Sequence, residues 1–539
     1  MNKLPIFEKF SYSKSSLRKR ASGDGSFSFF SFIFLIVIVF VVFVFRLFQL
    51  TVVKGEYYRR LADENRIRNV VIEAPRGKIL DRKGVEIAVS SNPDLNQSAD
   101  RINSKRTYTS PEAVSSLIGY RQTADQQDID NDNCLNKLKI GDKVGKKGIE
   151  KLYECDLHGV SGKKLIELDA QSKYVRTLSI VPPQPGKIIK LSLDLNLQNK
   201  AYEQLNPPTG GKKGAIIALK PKTGEVLAFV SSPGFNPQDF EDNNQNAINK
   251  YLNNKDNPLF DRVAEGAYPP GSIFKLVLAT GVLEEKIIDE NTLLVDNGIL
   301  KAGPLTFGNW YFLQYGKTEG ELNIVKAIRR STDTFFYQVG DKLGPEKIKY
   351  WADRFGYGKK INMGLEQAEG TVPSPFWKKE ILKENWYLGD TYNFSIGQGY
   401  LLVTPLQVGL VTSVFANAGN LCLPKFLKDE KPQCKSLNLS EKTLALVREG
   451  MKGACSTGGT GWPLFDFEVN GGKIQTACKT GTAESQDKSQ AAHAWITAFA
   501  PFDNPEIAVT VLVENGGQGS DVAGPIAKEI FKTYFENNH

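Results

Sequence analysis

The chain has 539 residues, with 68 Lys and Arg against 60 Asp and Glu and a net charge of +8. That length allows three or four domains with ample material for a large core, and the composition is that of an ordinary globular protein. Three scattered histidines (His158, His493, His539) and the lack of any Cys-x-x-Cys speak against a zinc site of His and Cys ligands.

Much of the positive excess sits in residues 1–26, where Lys3, Lys9, Lys14, Arg18, Lys19 and Arg20 face only Glu8 and Asp24. Such a tail suits nucleic acid or a membrane surface, and the next stretch decides for the membrane. Residues 27–45 are apolar apart from Ser28 and Ser31, long enough to cross a hydrocarbon core of about 30 Å. The basic flank keeps the N-terminus cytoplasmic and places everything after Arg46 outside. Arg46-Leu-Phe-Gln-Leu follows instead of a small-residue cleavage site, so the span reads as an uncleaved, single-pass anchor. The six cysteines then lie where disulfides persist. Cys422 and Cys434 flank a polar loop and are the expected pair; the pairing of Cys134, Cys155, Cys455 and Cys478 stays open.

Past the anchor, residues 57–66 read as a helix and 69–74 as a strand entering Pro75-Arg76-Gly77-Lys-Ile-Leu-Asp81-Arg82-Lys-Gly84. Arg76, Asp81 and Arg82 beside two glycines fit a catalytic cluster or a tight ion-paired turn, and the turn is the expectation. Residues 92–135 are polar. Their acidic run from Asp125 lacks the glycine and final glutamate of an EF-hand, which leaves a solvated loop. A short helix is expected from Gly148, strands over 172–180 and 188–193, and a helix over 195–205. Pro182-Pro-Gln-Pro-Gly186 marks a boundary between them. The expected division is 1–26 cytoplasmic tail, 27–45 transmembrane helix, 46–190 non-catalytic domain and 191–539 catalytic domain.

Within the last part, 214–219 and 225–230 form two apolar strands joined by Lys220-Pro-Lys-Thr-Gly224, a hairpin signal. Helices fill the centre, much of 322–343 among them. Strands are expected at 473–480, 494–500 and 507–513, with a closing helix over 525–535 and Pro525 in its first turn. Strands at both ends with helices between them predict one α+β domain whose antiparallel sheet joins N- and C-terminal pieces.

Chemistry concentrates in Ala267-Tyr-Pro-Pro-Gly-Ser272-Ile-Phe-Lys275. The two prolines set up a helix start after Gly271, and the residues from Ile273 onward are apolar, which buries the helix. A hydroxyl and an amine at i and i+3 then share one side of it. Burial lowers a lysine pKa, so Lys275 can take the proton of a Ser272 nucleophile. The competing reading is an N-cap serine with a snorkelling lysine, since Ser-x-x-Lys recurs at Ser11, Ser16, Ser161 and Ser485 in polar settings. Downstream stand Ser331-Thr-Asp333 and Lys479-Thr480-Gly481-Thr482, the latter ending an apolar strand. A second Lys-Thr-Gly at Lys222 lies in the hairpin turn, where a structural role suffices.

Ser-x-x-Lys, then Ser-x-Asx, then Lys-Thr-Gly in that order resembles the penicillin-recognising serine enzymes, specifically the elongation-type class B penicillin-binding proteins. Pro75-Arg-Gly with Asp81-Arg-x-Gly84, Gly148-Ile-Glu-Lys-x-Tyr-Glu154, Asp194-Leu-Asn-Leu-Gln198, Gly397-Gln-Gly399 and His493-Ala-Trp495 extend the resemblance over most of the chain. It implies a transpeptidase domain with a helix-flanked antiparallel sheet on an elongated β-rich pedestal. It also implies crosslinking of peptidoglycan stem peptides through a serine acyl-enzyme, with beta-lactams acylating the same serine. Ser272 would be nucleophile, Lys275 base, Ser331 proton relay and Asp333 anchor of the network. Lys479, Thr480, Gly481 and Thr482 would hold the substrate carboxylate. The expected partners are a membrane-embedded glycan polymerase and other elongation-complex proteins. No cofactor and no nucleic acid are expected, and no metal, since residues 287–330 hold no His or Cys. The polar segment before Cys134 is short for the pedestal head of that family.

Overall fold

The computed structural model describes residues 25–96, 101–169, 171–485 and 487–538. The basic tail therefore lies almost wholly outside the described residues, as do two of the polar Ser-x-x-Lys copies. The chain divides into two compact units, one made of the segment ending at Val70 with Lys164–Ile180, the other of Val71–Lys163 with Val181 onward.

In the first unit, helix α1 (Gly25–Phe48) runs on through a π-helical turn at Gln49–Val53. Its side chains from Phe29 to Phe48 are exposed apart from their own neighbours, and 24 residues make about 36 Å of helix at 1.5 Å per residue. Among the described residues this is the one helix long and apolar enough to cross a membrane. Helix α2 (Gly55–Arg66) follows. Its Arg66 pairs with Glu167, which also takes Arg176 Nε at 2.6 Å.

The second unit opens with small sheets. One orders the strands Ile189–Lys190, Ile79–Leu80, Glu86–Ser90 and Arg106–Tyr108. Arg76 and Asp81 take the structural role expected of them. Asp81 Oδ1 accepts from the Lys83 and Val85 amides at 2.7 and 2.8 Å, while Arg76 is buried among glutamates. The acidic run is solvated but is no irregular loop. Gln126–Asp130 is one helical turn, because Asp125 caps it and Asp128 returns the hydrogen bond. Lys146 pairs with both aspartates.

The centre of this unit is a five-stranded sheet of β1 (Gly214–Lys220), β2 (Glu225–Ser232), β3 (Ala477–Ala483), β4 (His493–Ala500) and β5 (Ile507–Val513), ordered β2-β1-β5-β4-β3. Every pairing is antiparallel, with Ile217 opposite Thr510 and Thr480 opposite Ile496. Side chains alternate between two cores: Ala215, Ile217 and Leu219 face one, Ile216 and Ala218 the other. Buried on both faces, these strands read as continuous apolar runs. Helix α3 (Leu195–Leu205) and the closing helix cover one face; α4 (Lys275–Glu284) and the wholly buried Pro405–Ala416 helix belong to the core on the other.

Two of the boundaries that differ from expectation have a clear physical cause. Strand β3 begins at Ala477, not residue 473, because Gly472–Lys473 turns back on Glu468–Val469. It also runs on to Ala483, so Lys479-Thr-Gly sits inside the strand. The closing helix spans Gly519–Asn538, and Pro525 lies inside it. Its first turns are glycine-rich, a composition that hides a helix, yet packing requires those residues there. A Cβ on Gly519 would lie 2.1 Å from Trp495 O, and one on Gly524 2.7 Å from Pro463 Cγ. All six cysteines pair, as Cys134–Cys155, Cys422–Cys434 and Cys455–Cys478.

Candidate active site

Ser272 stands in a 3-10 turn, Gly271–Ile273, directly before α4. The turn is pressed against β3. Gly271 has φ 56°, and a Cβ there would lie 2.8 Å from Thr482 O; a Cβ on Gly481 would lie 2.9 Å from Pro270 O. Two glycines thus let the Ser272 turn meet the strand. The Gly271 amide donates to Gly397 O at 2.9 Å and Trp495 Nε1 to Pro269 O at 3.1 Å, fixing the turn from both sides.

Ser331 ends the Ile324–Arg330 helix in the left-handed conformation, φ 56°. Helices usually place Gly or Asn at such a position, and a side chain there costs of order 1 kcal/mol or more. The serine has a use that outweighs this cost. Its carbonyl accepts from Lys275 Nζ at 2.8 Å, and its Oγ lies 3.2 Å from Lys275 Nζ and 2.8 Å from Lys479 Nζ. Asp333, the first residue of the next helix (Asp333–Leu343), places Oδ1 at 2.6 Å from Lys275 Nζ and accepts from the Trp310 amide through Oδ2 at 3.1 Å.

Lys275 and Lys479 are both fully buried. Burial pushes the Lys275 pKa down, with Asp333 opposing. Lys479 is pushed well down by burial and then by the charge of Lys275, again with Asp333 opposing. Two amines share one carboxylate, so holding both protons in the interior is costly. A hydroxyl has two lone pairs and one proton. With both lone pairs taken by lysines, the Ser331 O–H remains free to donate to a third partner.

On β3, Lys479 Nζ also donates to Thr480 O at 3.0 Å, and Thr480 Oγ1 to Thr460 Oγ1 at 2.9 Å. In a strand the N–H and C=O of one residue point the same way. Thr482 O accepts from Gln398 Nε2 at 3.3 Å, beyond the free edge of β3, so the Thr482 amide also points out of the sheet. An amide so directed is free to donate to an oxygen in the cleft. A cleft of about 670 Å³ joins Ser272, Ser331, Asp333, Thr480 and Thr482.

The three distant motifs thus meet in one place, while the Lys222-Thr-Gly224 copy stays in the β1–β2 turn. Sequence reasoning missed the residues that hold Asp333. Buried Asn309 accepts from the Asp333 amide at 3.2 Å and donates to Asp296 at 2.8 Å, and Asp296 in turn accepts from Thr334 Oγ1 at 2.7 Å. No local pattern announces them. Among the described residues no group of three or more His, Cys, Asp or Glu is arranged to hold a metal ion.

Residues 214–532 match the penicillin-binding protein transpeptidase domain and residues 99–191 the penicillin-binding protein dimerisation domain. The peptidoglycan D,D-transpeptidase MrdA of Haemophilus influenzae is 34% identical over 460 residues, 80% of this chain and 69% of that one. Penicillin-binding protein 2 of Helicobacter pylori, solved in complex with MreC, superposes with a TM-score of 0.73 at 29% identity, covering 88% of this chain and 99% of that one. A structure of a peptidoglycan synthase complex coordinating polymerization and crosslinking matches with a TM-score of 0.74 at 26% identity, over 96% of this chain and 99% of that one. Motif order, site geometry and these likenesses converge: the chain belongs to the penicillin-binding protein transpeptidase family.

Proposed function

We propose that this protein is a membrane-anchored peptidoglycan D,D-transpeptidase that crosslinks stem peptides during cell-wall elongation and is acylated by beta-lactams. The observation that carries the reading is a single serine hydroxyl, Ser331 Oγ, within hydrogen-bond reach of two buried lysines beside the Ser272 turn.

In this reading Lys275, losing its proton more readily than a solvated lysine, takes the Ser272 proton as Oγ attacks the carbonyl of the penultimate D-alanine. The amides of Ser272 and Thr482 hold the tetrahedral oxyanion. Lys479, Thr480 and Thr482 hold the terminal carboxylate, with Gly481 keeping the strand close to the turn. As the peptide bond breaks, Ser331 passes a proton to the departing D-alanine amine and recovers one from Lys275. An amine of a neighbouring strand then attacks the ester. Its proton returns by the same route, and Ser272 is freed. Asp333 fixes the Lys275 amine throughout.

Residues 27–45 anchor the enzyme with residues 1–26 cytoplasmic, 46–190 as pedestal and 191–539 as the catalytic domain outside. The solved relatives in complex with MreC and in a peptidoglycan synthase complex support an elongation-complex setting, with a membrane-embedded glycan polymerase as partner. The phenylalanine-rich span, with Phe29, Phe30, Phe32 and Phe34 among others, would pack against it by shape.

Purified full-length protein given lipid-linked substrate and polymerase should yield crosslinked muropeptides. Trimmed peptides alone would assign it instead to a D,D-carboxypeptidase or beta-lactamase, which hands the acyl group to water. Exchanging residues 27–45 for an unrelated apolar span should leave penicillin acylation intact and weaken polymerase co-purification; equal recovery would reduce the span to an anchor.

A further inference from the structure

The disulfide Cys455–Cys478 joins the residue after the Glu441–Ala454 helix to the residue before Lys479. Both sulfurs are buried. Alternation along β3 turns Cys478 away from the Lys479 side, into the second core. The short loop that follows Cys455 is packed onto the bridge: a Cβ on Gly461 would lie 2.4 Å from Cys478 Sγ. From there the loop reaches the cleft, where Gly459, Thr460 and Trp462 form part of the wall. Thr460 Oγ1 accepts from Thr480 Oγ1 at 2.9 Å. Its other side is held by the helix that ends at Ser331, where Arg330 Nη1 donates to Gly458 O at 2.9 Å and Arg329 Nη2 to Thr457 O. One loop therefore ties the helix carrying Ser331 to the strand carrying Lys479 and Thr480, and the disulfide closes it.

We propose that the Cys455–Cys478 bridge and the Ser456–Gly461 loop are a positioning device for the substrate-carboxylate pocket. The bridge holds Thr460 against Thr480 and so fixes the Thr480 hydroxyl toward the terminal carboxylate of the stem peptide or the carboxylate of a beta-lactam. This rests on the transpeptidase reading above. Neither cysteine touches substrate. The other bridge of the catalytic part, Cys422–Cys434, closes a hairpin whose second strand, Cys434–Ser436, is exposed, and it has no such role.

The test is the full-length detergent-solubilised protein with both cysteines replaced, C455A/C478A, labelled by a fluorescent penicillin across a range of concentrations. The second-order acylation constant should fall on the order of tenfold to a hundredfold, the scale of a small misplacement at a reacting centre. The loss should sit in the concentration needed for half-maximal rate, with the saturating rate little changed. C422A/C434A should match wild type in both. Thr460→Val alone should reproduce part of the loss and add almost nothing in the C455A/C478A background, because both changes break one arrangement. Wild-type acylation by C455A/C478A, an equal loss in C422A/C434A, or a fully additive Thr460→Val effect overturns the proposal. If C455A/C478A fails to unfold cooperatively, Thr460→Val carries the test, and an unchanged half-saturating concentration overturns it. Failure of wild type itself to be labelled would instead strike the transpeptidase reading.

Discussion

Two of the places where the second unit buries charge do so to opposite effect. In the part before the central sheet, Arg76 Nε and Nη2 meet Glu150 and Glu154 at 2.5 and 2.6 Å, and Arg106 Nη2 meets Glu150 at 2.9 Å. Arg121 bridges Glu73 at 3.1 Å and Glu241 at 2.6 Å, the last on the catalytic side of the expected boundary. Each guanidinium has a carboxylate, so although burial alone would lower it, the pKa of Arg76 is held above its ordinary value by Glu150 and Glu154. Glu150 is held below its own, its burial outweighed by Arg106 and Arg76. At the active site, two lysines share one aspartate and both are pushed down, burial first. Balanced charges built from arginine, which does not deprotonate in proteins, lock a fold. Unbalanced charges built from lysine leave a proton free to move.

Exchanging the chemistry of one cluster for that of the other breaks this contrast most sharply. Lys275→Arg keeps the charge beside Asp333 but removes a releasable proton. Penicillin acylation should fall by about 10²–10⁴-fold, the range of a lost general base, while circular dichroism and the unfolding midpoint stay close to wild type. Near-normal acylation by this variant would leave Lys275 with electrostatic support alone.

The converse change belongs to the arginine cluster. Arg76→Met leaves Glu150 with Arg106 alone and Glu154 without its buried guanidinium, and breaking a buried pair from one side costs about 3–5 kcal/mol. Chemical denaturation should show that loss at neutral pH, with acylation per folded molecule unchanged.

Against burial, the carboxyl pKa values of Glu150 and Glu154 are depressed in the fold, Glu150 by Arg106 and Arg76 and Glu154 by Arg76. The stability they contribute is therefore present above the unfolded value of about 4.3 and fades as pH falls below it toward the lower folded values. The gap between wild type and Arg76→Met should narrow over that acid range, because the stranded glutamates can take protons. A gap independent of pH would mean that packing, not charge, sets the cost.

What the sequence disclosed follows the same division. The Ser272 helix and the sheet strands were legible because burial on both faces leaves long apolar runs, and the expected Cys422–Cys434 pair is present. Motif order brought Ser331, Asp333 and Lys479 to the right neighbourhood. The supports were not legible. Asn309 and Asp296 lie 24 and 37 residues before Asp333, and Arg76 meets Glu150 across 74 residues, so no local period records either. The early start of the closing helix was hidden because Gly519 and Gly524 are small for tertiary reasons, against their helix propensity. The left-handed Ser331 left the one readable trace, a serine where a helix end favours glycine.

Whether Ser272 is the nucleophile of this lysine-assisted site is decided by intact-protein and peptide mass spectrometry after penicillin treatment. One covalent penicilloyl adduct per chain is expected, carried by the peptide containing Ser272 and absent from Ser272→Ala. An adduct that persists in Ser272→Ala, or that maps to Ser331 or any other residue, would contradict it.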